Sequence, residues 1–223
     1  MTPALPSSRV HVSVETIVFS VADRALRALL VRRSAPPFAG LAALPGGPLA
    51  PRETLEAAAS RILAAESGLT DVYLEQLATF GDPARDPRGR VVSVAYIALV
   101  RPGRPEPRGA EWTPMASLPR LAFDHRNVLD YALQRLRYKL EYTPIGFRLL
   151  PEEFTLTRVQ DAYEAILGRP LDKRNFRKKL LSLRVLRPLP RSVREGAHRP
   201  ARLYRFEPER WAGLKEKGNV FVF

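Results

Sequence analysis

Apolar residues alternate with polar ones over Val10–Phe19, where Val12, Val14, Thr16 and Val18 share one face, and again over Leu26–Arg32. Period-two alternation predicts half-buried strands, and Ala22-Asp23-Arg24 between them suits a hairpin turn. Ser34–Leu44 carries Pro36-Pro37 and Gly40 and reads as a loop, and Pro45-Gly46-Gly47 as a flexible turn. From Glu53 the period changes. Leu55, Ala58, Ala59, Ile62 and Leu63 recur at helical spacing up to Ser67, and Gly68 is placed to stop the helix. Val72–Phe80 and Val91–Val100 read as strands on either side of an Asp/Pro/Arg/Gly loop, 81–90. Trp112, Met115 and Leu118 mark a short semi-ordered stretch. Asp124–Tyr138 reads as a helix with Val128, Leu129, Ala132, Leu133 and Leu136 on its inner face.

Beyond a junction at Tyr142–Leu150 the pattern is different. Thr155 or Thr157 can cap a helix that ends at Gly168, with Leu156, Val159, Tyr163 and Ile166 inward; Thr157 and Gln160 have capping-box spacing. Arg169-Pro170-Leu171 is a tight turn. Asp172 then caps a second helix from Lys173 to about Leu183, with Phe176, Leu180 and Leu183 inward. Strands at Val185–Leu189 and Arg202–Phe206 flank a basic loop. Helix, turn, helix and a two-stranded basic hairpin form a winged helix-turn-helix layout. The predicted fold is therefore α/β: a sandwich over 1–140, followed by a winged helix-turn-helix over 141–223.

Charge changes this picture by singling out one end. The chain of 223 residues has a net charge of +13. Residues 1–150 hold 19 basic and 14 acidic residues, and residues 151–223 hold 17 basic and 9 acidic. A net +8 in the last third favours a polyanion partner. The chain has no cysteine and three histidines, so disulfides and thiolate metal sites are excluded and a zinc site is not expected. No apolar run approaches the ~20 residues that span a bilayer, and the N-terminus lacks a secretion-signal layout. A cytoplasmic protein with no membrane partner is expected.

Four segments carry candidate chemistry. The first, Gly47–Leu69, holds Gly47, Glu53, Arg61, Leu63, Glu66, Gly68 and Leu69 at the spacing of the pyrophosphatase signature called the Nudix box, which it resembles. Ile62 and Ala65 stand where that family has two metal-binding carboxylates. Mg²⁺ on a diphosphate needs hard oxygen ligands, which Ile and Ala lack. The resemblance implies the scaffold of the box without its chemistry: no catalytic residues, no metal, no cofactor. Relocated ligands Glu53, Glu56 and Glu66 would keep an enzyme alive, but Glu66 lies too far along a helix rising ~1.5 Å per residue to share one cation with Glu53. Glu53 and Arg61 are expected to pair and hold the loop. Glu66 is left as a relic or as a polar lining of the pocket.

The second segment is the loop 81–90, with Arg85, Arg88 and Arg90. Guanidinium forks suit phosphate. With Arg32, Arg33 and the backbone of Gly46 and Gly47 they frame a candidate diphosphate site, and Phe38, Phe80 or Tyr96 could stack an adenine. The alternative is a solvated hairpin with structural Asp turns. The third segment is Leu121–Arg126, where Asp124 is read as a helix N-cap and His125 as a secondary candidate for ligand contact. The fourth is Leu171–Lys179. Lys173, Arg174, Asn175, Arg177, Lys178 and Ser182 face outward, with Lys179 near the boundary. Asn and Arg match adenine and guanine edges in the major groove, and the other cations match phosphates. In the wing, Arg191, Arg194, His198, Arg199 and Arg202 are candidates for the DNA backbone or minor groove. RNA is not favoured, for want of an aromatic stacking platform.

A degenerate box, the Thr-Phe-Gly-Asp-Pro loop and the Leu-Asp-Lys-Arg-Asn-Phe-Arg-Lys helix, in that order, resemble the Nudix-related transcriptional regulator family, the repressors of NAD metabolism in bacteria. That resemblance spans roughly Val12–Phe206. It implies a homodimer on a pseudo-palindromic double-stranded DNA operator. It also implies a small-molecule effector, ADP-ribose or another NAD-related metabolite, held by the first domain. Rival readings are an active hydrolase of ADP-ribose or another nucleoside diphosphate derivative, and a DNA-binding protein without effector.

Overall fold

The computed structural model describes residues 9–104, 107–194 and 200–215. By its internal contacts the chain forms two compact units. The first takes residues up to 18, 28–98 and 106–132; the second takes 19–27, 99–105 and 133 onward.

A seven-stranded sheet underlies the N-terminal part. β1 (His11–Ala22) lies at its centre, β2 (Ala25–Arg32) on one side, and β6 (Val91–Leu99) with β5 (Tyr73–Phe80) on the other. Short β3 (Ala42–Ala43) extends the β2 side, β4 (Gly46–Pro48) pairs with β1, and β7 (Ala110–Pro114) pairs with β2. Two of these strands depart from the sequence reading. Gly46–Pro48 is an antiparallel strand that opposes Val14 to Gly47 and Glu15 to Gly46, where a flexible turn is predicted. Turn residues there serve close approach: a Cβ on Gly46 would lie 3.1 Å from Glu15 Cγ and 3.3 Å from the Val14 carbonyl. The stretch with Trp112 is a strand continued by a 3₁₀ turn at Met115–Ser117.

Helix α1 (Leu55–Ser67) begins where Thr54 accepts from the Ala57 amide and ends at Gly68, whose φ of 72° suits glycine. Its face Ala58, Ala59 and Ile62 packs on Val14, Val94 and Tyr96. Successive strand residues point to opposite faces, so Ser13, Glu15 and Val91 look away from α1. Helix α2 (His125–Tyr142) outruns its predicted end by a turn and buries Val128, Leu129, Ala132 and Leu136.

In the second unit the predicted junction is a 3₁₀ segment, Pro144–Leu149, with Ile145, Phe147 and Leu149 buried. Its Gly146 admits no side chain, because a Cβ would come within 2.8 Å of Tyr163 Cε2 and 3.0 Å of Leu140 Cδ2. Helix α3 (Leu156–Leu167) is capped by Thr155, not Thr157, and buries Val159, Ala162, Tyr163 and Ile166. Glu164 accepts from Gln160 and from the Leu171 amide, which fastens the turn into the next helix. Helix α4 (Lys173–Ser182) is capped by Asp172 and buries Phe176 and Leu180. The wing is β8 (Leu186–Val193) paired antiparallel with β9 (Ala201–Phe206), and Phe206 stacks on Phe147 at 4.4 Å. Helix α5 (Pro208–Lys215) closes the described chain.

Candidate functional site

On the sheet face turned away from α1 lies a cavity of about 450 Å³. That volume is within the range of small-molecule sites. β1 supplies His11, Ser13 and Glu15; β4 supplies Gly46 and Gly47; the 81–90 loop supplies Arg85, Asp86 and Arg88. Arg33 follows β2, and Phe123 and His125 stand at the head of α2.

The floor is a buried charge network. Arg85 is 7% exposed, Glu15 6% and His125 5%. Arg85 donates to Asp124 through Nη2 at 2.8 Å and Nε at 3.0 Å, and through Nη2 to Glu15 Oε1 at 3.0 Å and Oε2 at 3.3 Å. His125 Nδ1 accepts from the Leu44 amide at 3.0 Å, which leaves Nε2 to carry the proton and face Glu15 Oε1 at 3.5 Å. Burial pushes the Glu15 carboxyl up; the hydrogen bond from His125 and the Arg85 guanidinium outweigh this and hold it below the usual carboxylate range. Burial alone would lower the Arg85 guanidinium, but its bonds and charges with Asp124 and Glu15 raise it. Asp124 holds the N-cap position by its backbone, accepting from Asn127 and Val128, while its side chain is committed to Arg85.

Beside this network, Phe123 adjoins the His125 ring at 5.2 Å and gathers two further cations. Arg33 lies 4.7 Å from the centre of the Phe123 ring and Arg88 5.5 Å from it, both at cation–π range. Arg88 is also held by Asp86, at 2.7 and 3.0 Å. That bond keeps the Asp86 carboxyl below its ordinary range. Phe123 has a φ of 51°, in the left-handed region, where a bulky residue is strained.

Of the residues predicted to hold an effector, Arg33, Gly46, Gly47, Arg85, Arg88 and His125 line this cavity. Six do not. Tyr96 is core, 2% exposed, with its hydroxyl donated to Glu56 Oε1; burial, then that bond, push it up to about 12. Phe38 packs edge-on against Phe123 within the Val31, Ala43 and Ala122 cluster. Phe80 packs edge-on against Tyr131. Arg32 donates to the Gly40 carbonyl and Arg90 to the Gly81 carbonyl, so both fasten loops. Glu66 is exposed in the last turn of α1, and only its charge reaches Arg33. The sequence reading missed Glu15, Asp86 and Phe123. Glu15 falls on the strand face opposite Val12, Val14, Thr16 and Val18, where alternation predicts a polar residue, so its burial shows only in the structure.

At the box, Arg61 donates to both oxygens of Glu53 at 2.7 Å and to the Pro48 carbonyl. Ile62 is buried in the core, and a Cβ on Gly47 would touch it at 3.6 Å. Ala65 is exposed. Neither side chain supplies an oxygen, and Glu53 and Glu56 are hydrogen-bonded to Arg61 and Tyr96.

In the winged helix, Lys173, Arg174, Asn175, Lys178 and Ser182 are exposed on α4, as are Arg194 and Arg202 on the wing. Arg202 Nε bonds the Leu189 carbonyl. Two other predicted DNA contacts are tied inside the unit. Arg177 donates to the Thr157 hydroxyl, and Arg191 is paired, with Arg205, to Glu153. The Arg191 bond, then burial, and the remaining charges leave the Glu153 carboxyl below its ordinary range. Arg199 and His198 lie outside the described residues. No helix among the described residues is long and apolar enough to cross a membrane.

Comparison with known proteins covers both units. The Nudix domain model matches residues 11–132, and the model of the NrtR DNA-binding winged helix domain matches 146–206. A protein of Acinetobacter baylyi named "ADPR responsive transcriptional repressor NtrR" is 38% identical over 203 residues, 87% of this chain and 81% of its own length. A Methanocaldococcus jannaschii protein named ADP-ribose pyrophosphatase is 34% identical over 132 residues, 57% of this chain and 78% of its own length. The crystal structure of Shewanella oneidensis NrtR complexed with a 27mer DNA superposes with a TM-score of 0.78 at 34% identity, covering 90% of this chain and 95% of that one. The Nudix domain of the same Shewanella protein complexed with ADP ribose superposes at 0.51 with 36% identity, over 57% of this chain and 89% of that one. A Nudix domain followed by this particular winged helix, with a likeness that spans both, means that the chain belongs to the NrtR family of Nudix-related transcriptional regulators.

Proposed function

We propose that this chain is an ADP-ribose-responsive transcriptional repressor of NAD-related metabolism. Residues 1–140 sense ADP-ribose or a related metabolite, and residues 141–223 read an operator in double-stranded DNA. The observation that carries the reading is the pairing of a cation-lined cavity of about 450 Å³ with an exposed basic helix behind an Asp cap. The relatives named for ADP-ribose response and solved with DNA support both halves of it. The effector's phosphates meet Arg33, Arg88 and the backbone of Gly46 and Gly47. Lys173, Arg174, Asn175, Lys178 and Ser182 enter the major groove, and Arg194 and Arg202 follow the backbone. The protein works in the cytoplasm as a homodimer, which sets two recognition helices about one DNA turn apart. Ligand and operator oppose one another reciprocally, with a coupling of about 1–3 kcal/mol.

No metal or cofactor takes part in this reading, because the side chains at Ile62 and Ala65 cannot hold Mg²⁺. The likeness to a protein named ADP-ribose pyrophosphatase favours one rival, a hydrolase. Fluorescence anisotropy on DNA from the protein's own upstream region, titrated with ADP-ribose, tests the proposal. Specific binding that ligand releases supports it. Equal ligand affinity with and without operator would sink the coupling. Mg²⁺-dependent turnover of ADP-ribose that Glu66→Gln abolishes would establish the hydrolase instead.

A further inference from the structure

The cavity lining carries both signs of charge, and each asks for different chemistry. Arg33 and Arg88 bring guanidiniums beside the Phe123 ring, Arg33 with Nε and Nη2 donated to the Pro37 and Ala35 carbonyls, and their charge suits an anion. Glu15 offers a carboxylate, and His125 adjoins both groups, 3.5 Å from Glu15 Oε1 and 5.2 Å, ring to ring, from Phe123. A carboxylate can accept about four hydrogen bonds. Among the described residues Glu15 receives Arg85 Nη2 on Oε1 at 3.0 Å, His125 Nε2 at 3.5 Å on the same oxygen, and on Oε2 only the longer branch from Arg85 at 3.3 Å. A buried acceptor that is under-supplied gains from a donor brought by a ligand. That donor is not a second cation. Arg85 already faces Glu15, and a ligand ammonium would enter beside a buried guanidinium. A neutral hydroxyl fits. Gly46 keeps the β4 backbone tight against the Glu15 stem, where a Cβ would meet Glu15 Cγ at 3.1 Å.

We infer that Glu15 selects the ligand's distal sugar: its carboxylate accepts hydrogen bonds from sugar hydroxyls while Arg33 and Arg88 hold the phosphates. The inference rests on the proposed effector reading and adds to it the residue that tells a sugar-bearing nucleotide from a bare one. Glu15 is thereby a specificity residue, with Arg85 and His125 as its positioning residues.

Calorimetric titration of the full chain with ADP-ribose and with ADP, which lacks the distal ribose, tests this. The wild-type chain should prefer ADP-ribose by about ten-fold or more, the usual worth of a hydrogen bond to a charged group. Glu15→Gln should bring the ratio towards one while leaving the affinity for ADP in place. Glu15→Asp keeps a charge opposite Arg85, withdraws the carboxylate by one methylene, and should lower the ratio too; a thermal melt of each variant reports folding. A wild-type chain that binds ADP as tightly as ADP-ribose overturns the inference without any variant. So does a folded Glu15 variant that keeps the wild-type ratio, and in that case the effector reading survives. A wild-type chain that binds neither nucleotide removes both.

Discussion

Basic residues crowd both the 81–90 loop and helix α4, yet the two regions place them differently. In the loop each cation has an internal partner. Arg85 is bonded to Glu15 and Asp124, Arg88 to Asp86 and Arg90 to the Gly81 carbonyl. Asp82 and Asp86 turn the loop back on itself through the Ala84 and Arg88 amides. On α4 the first turn contains no acid, and Lys173, Arg174 and Lys178 are exposed. Local acids decide the difference. An Arg buried among carboxylates, as Arg85 is, becomes architecture; Arg88, exposed beside its Asp, still faces the cavity, and a basic face on a helix without acids remains available to phosphate. A count of basic residues therefore says less about a polyanion partner than the acids beside them do.

Arg85→Ala would break this contrast most severely. It leaves Glu15 as a buried carboxylate without its guanidinium, and removing one member of a buried pair costs about 3–5 kcal/mol. Denaturant unfolding should show that loss, and α2 should be destabilised at its start. Arg88→Ala removes the exposed partner of the buried Asp86 carboxylate and should cost about 1–3 kcal/mol, with a loss of ligand affinity beside it. On the other side of the comparison, Lys173→Ala, Arg174→Ala and Lys178→Ala together should lower the slope of log affinity against log salt by about three, one for each phosphate no longer neutralised, with the melting midpoint unchanged. A slope that does not move would remove α4 from the DNA interface. Asp172→Ala should cost about 1 kcal/mol through the missing cap and weaken DNA binding with it.

The smallest expected effect is one of acidity. The Glu15 carboxyl titrates lower in the folded chain than in the unfolded one. As pH falls, the unfolded chain takes up the proton first. The stabilisation from this carboxylate is complete above its ordinary value of 4.5 and disappears as pH falls through the lower folded value. Thermal melts across that window should show an acid limb, and Glu15→Gln should flatten it.

Helix starts are readable in the sequence only in part: Asp172 is read there as a cap and Thr155 beside Thr157, whereas the helix read from Glu53 starts at Leu55 behind Thr54. Thr54, Thr155 and Asp172 each precede an apolar period of 3.6 and each accepts from an amide three residues on. Winged-helix packing follows from the same period at Val159, Tyr163, Ile166, Phe176 and Leu180. The cavity is only half readable. Alternation shows that a strand has two faces but not which face an α-helix covers, so Tyr96, which lies under α1, passes in the sequence for a stacking ring. The partners of Arg85 lie 70 and 39 residues away, beyond any local signal. Gly46 and Gly47 spell a turn, and only the neighbouring strand shows that they are glycines for closeness.

The segment Pro144–Leu149 bears on how this DNA reader could be transplanted. Chimeras are commonly cut where a sequence looks like a hinge, and Tyr142–Leu150 looks like one. A cut after Leu150 would discard Ile145, Phe147 and Leu149, the inner lining of the winged helix, and would strand the ring of Phe206 that stacks on Phe147. A cut at Pro144 would still lose Leu140, against which Gly146 closes. A swappable reader therefore has to begin inside α2, before Leu140, and brings part of that helix with it.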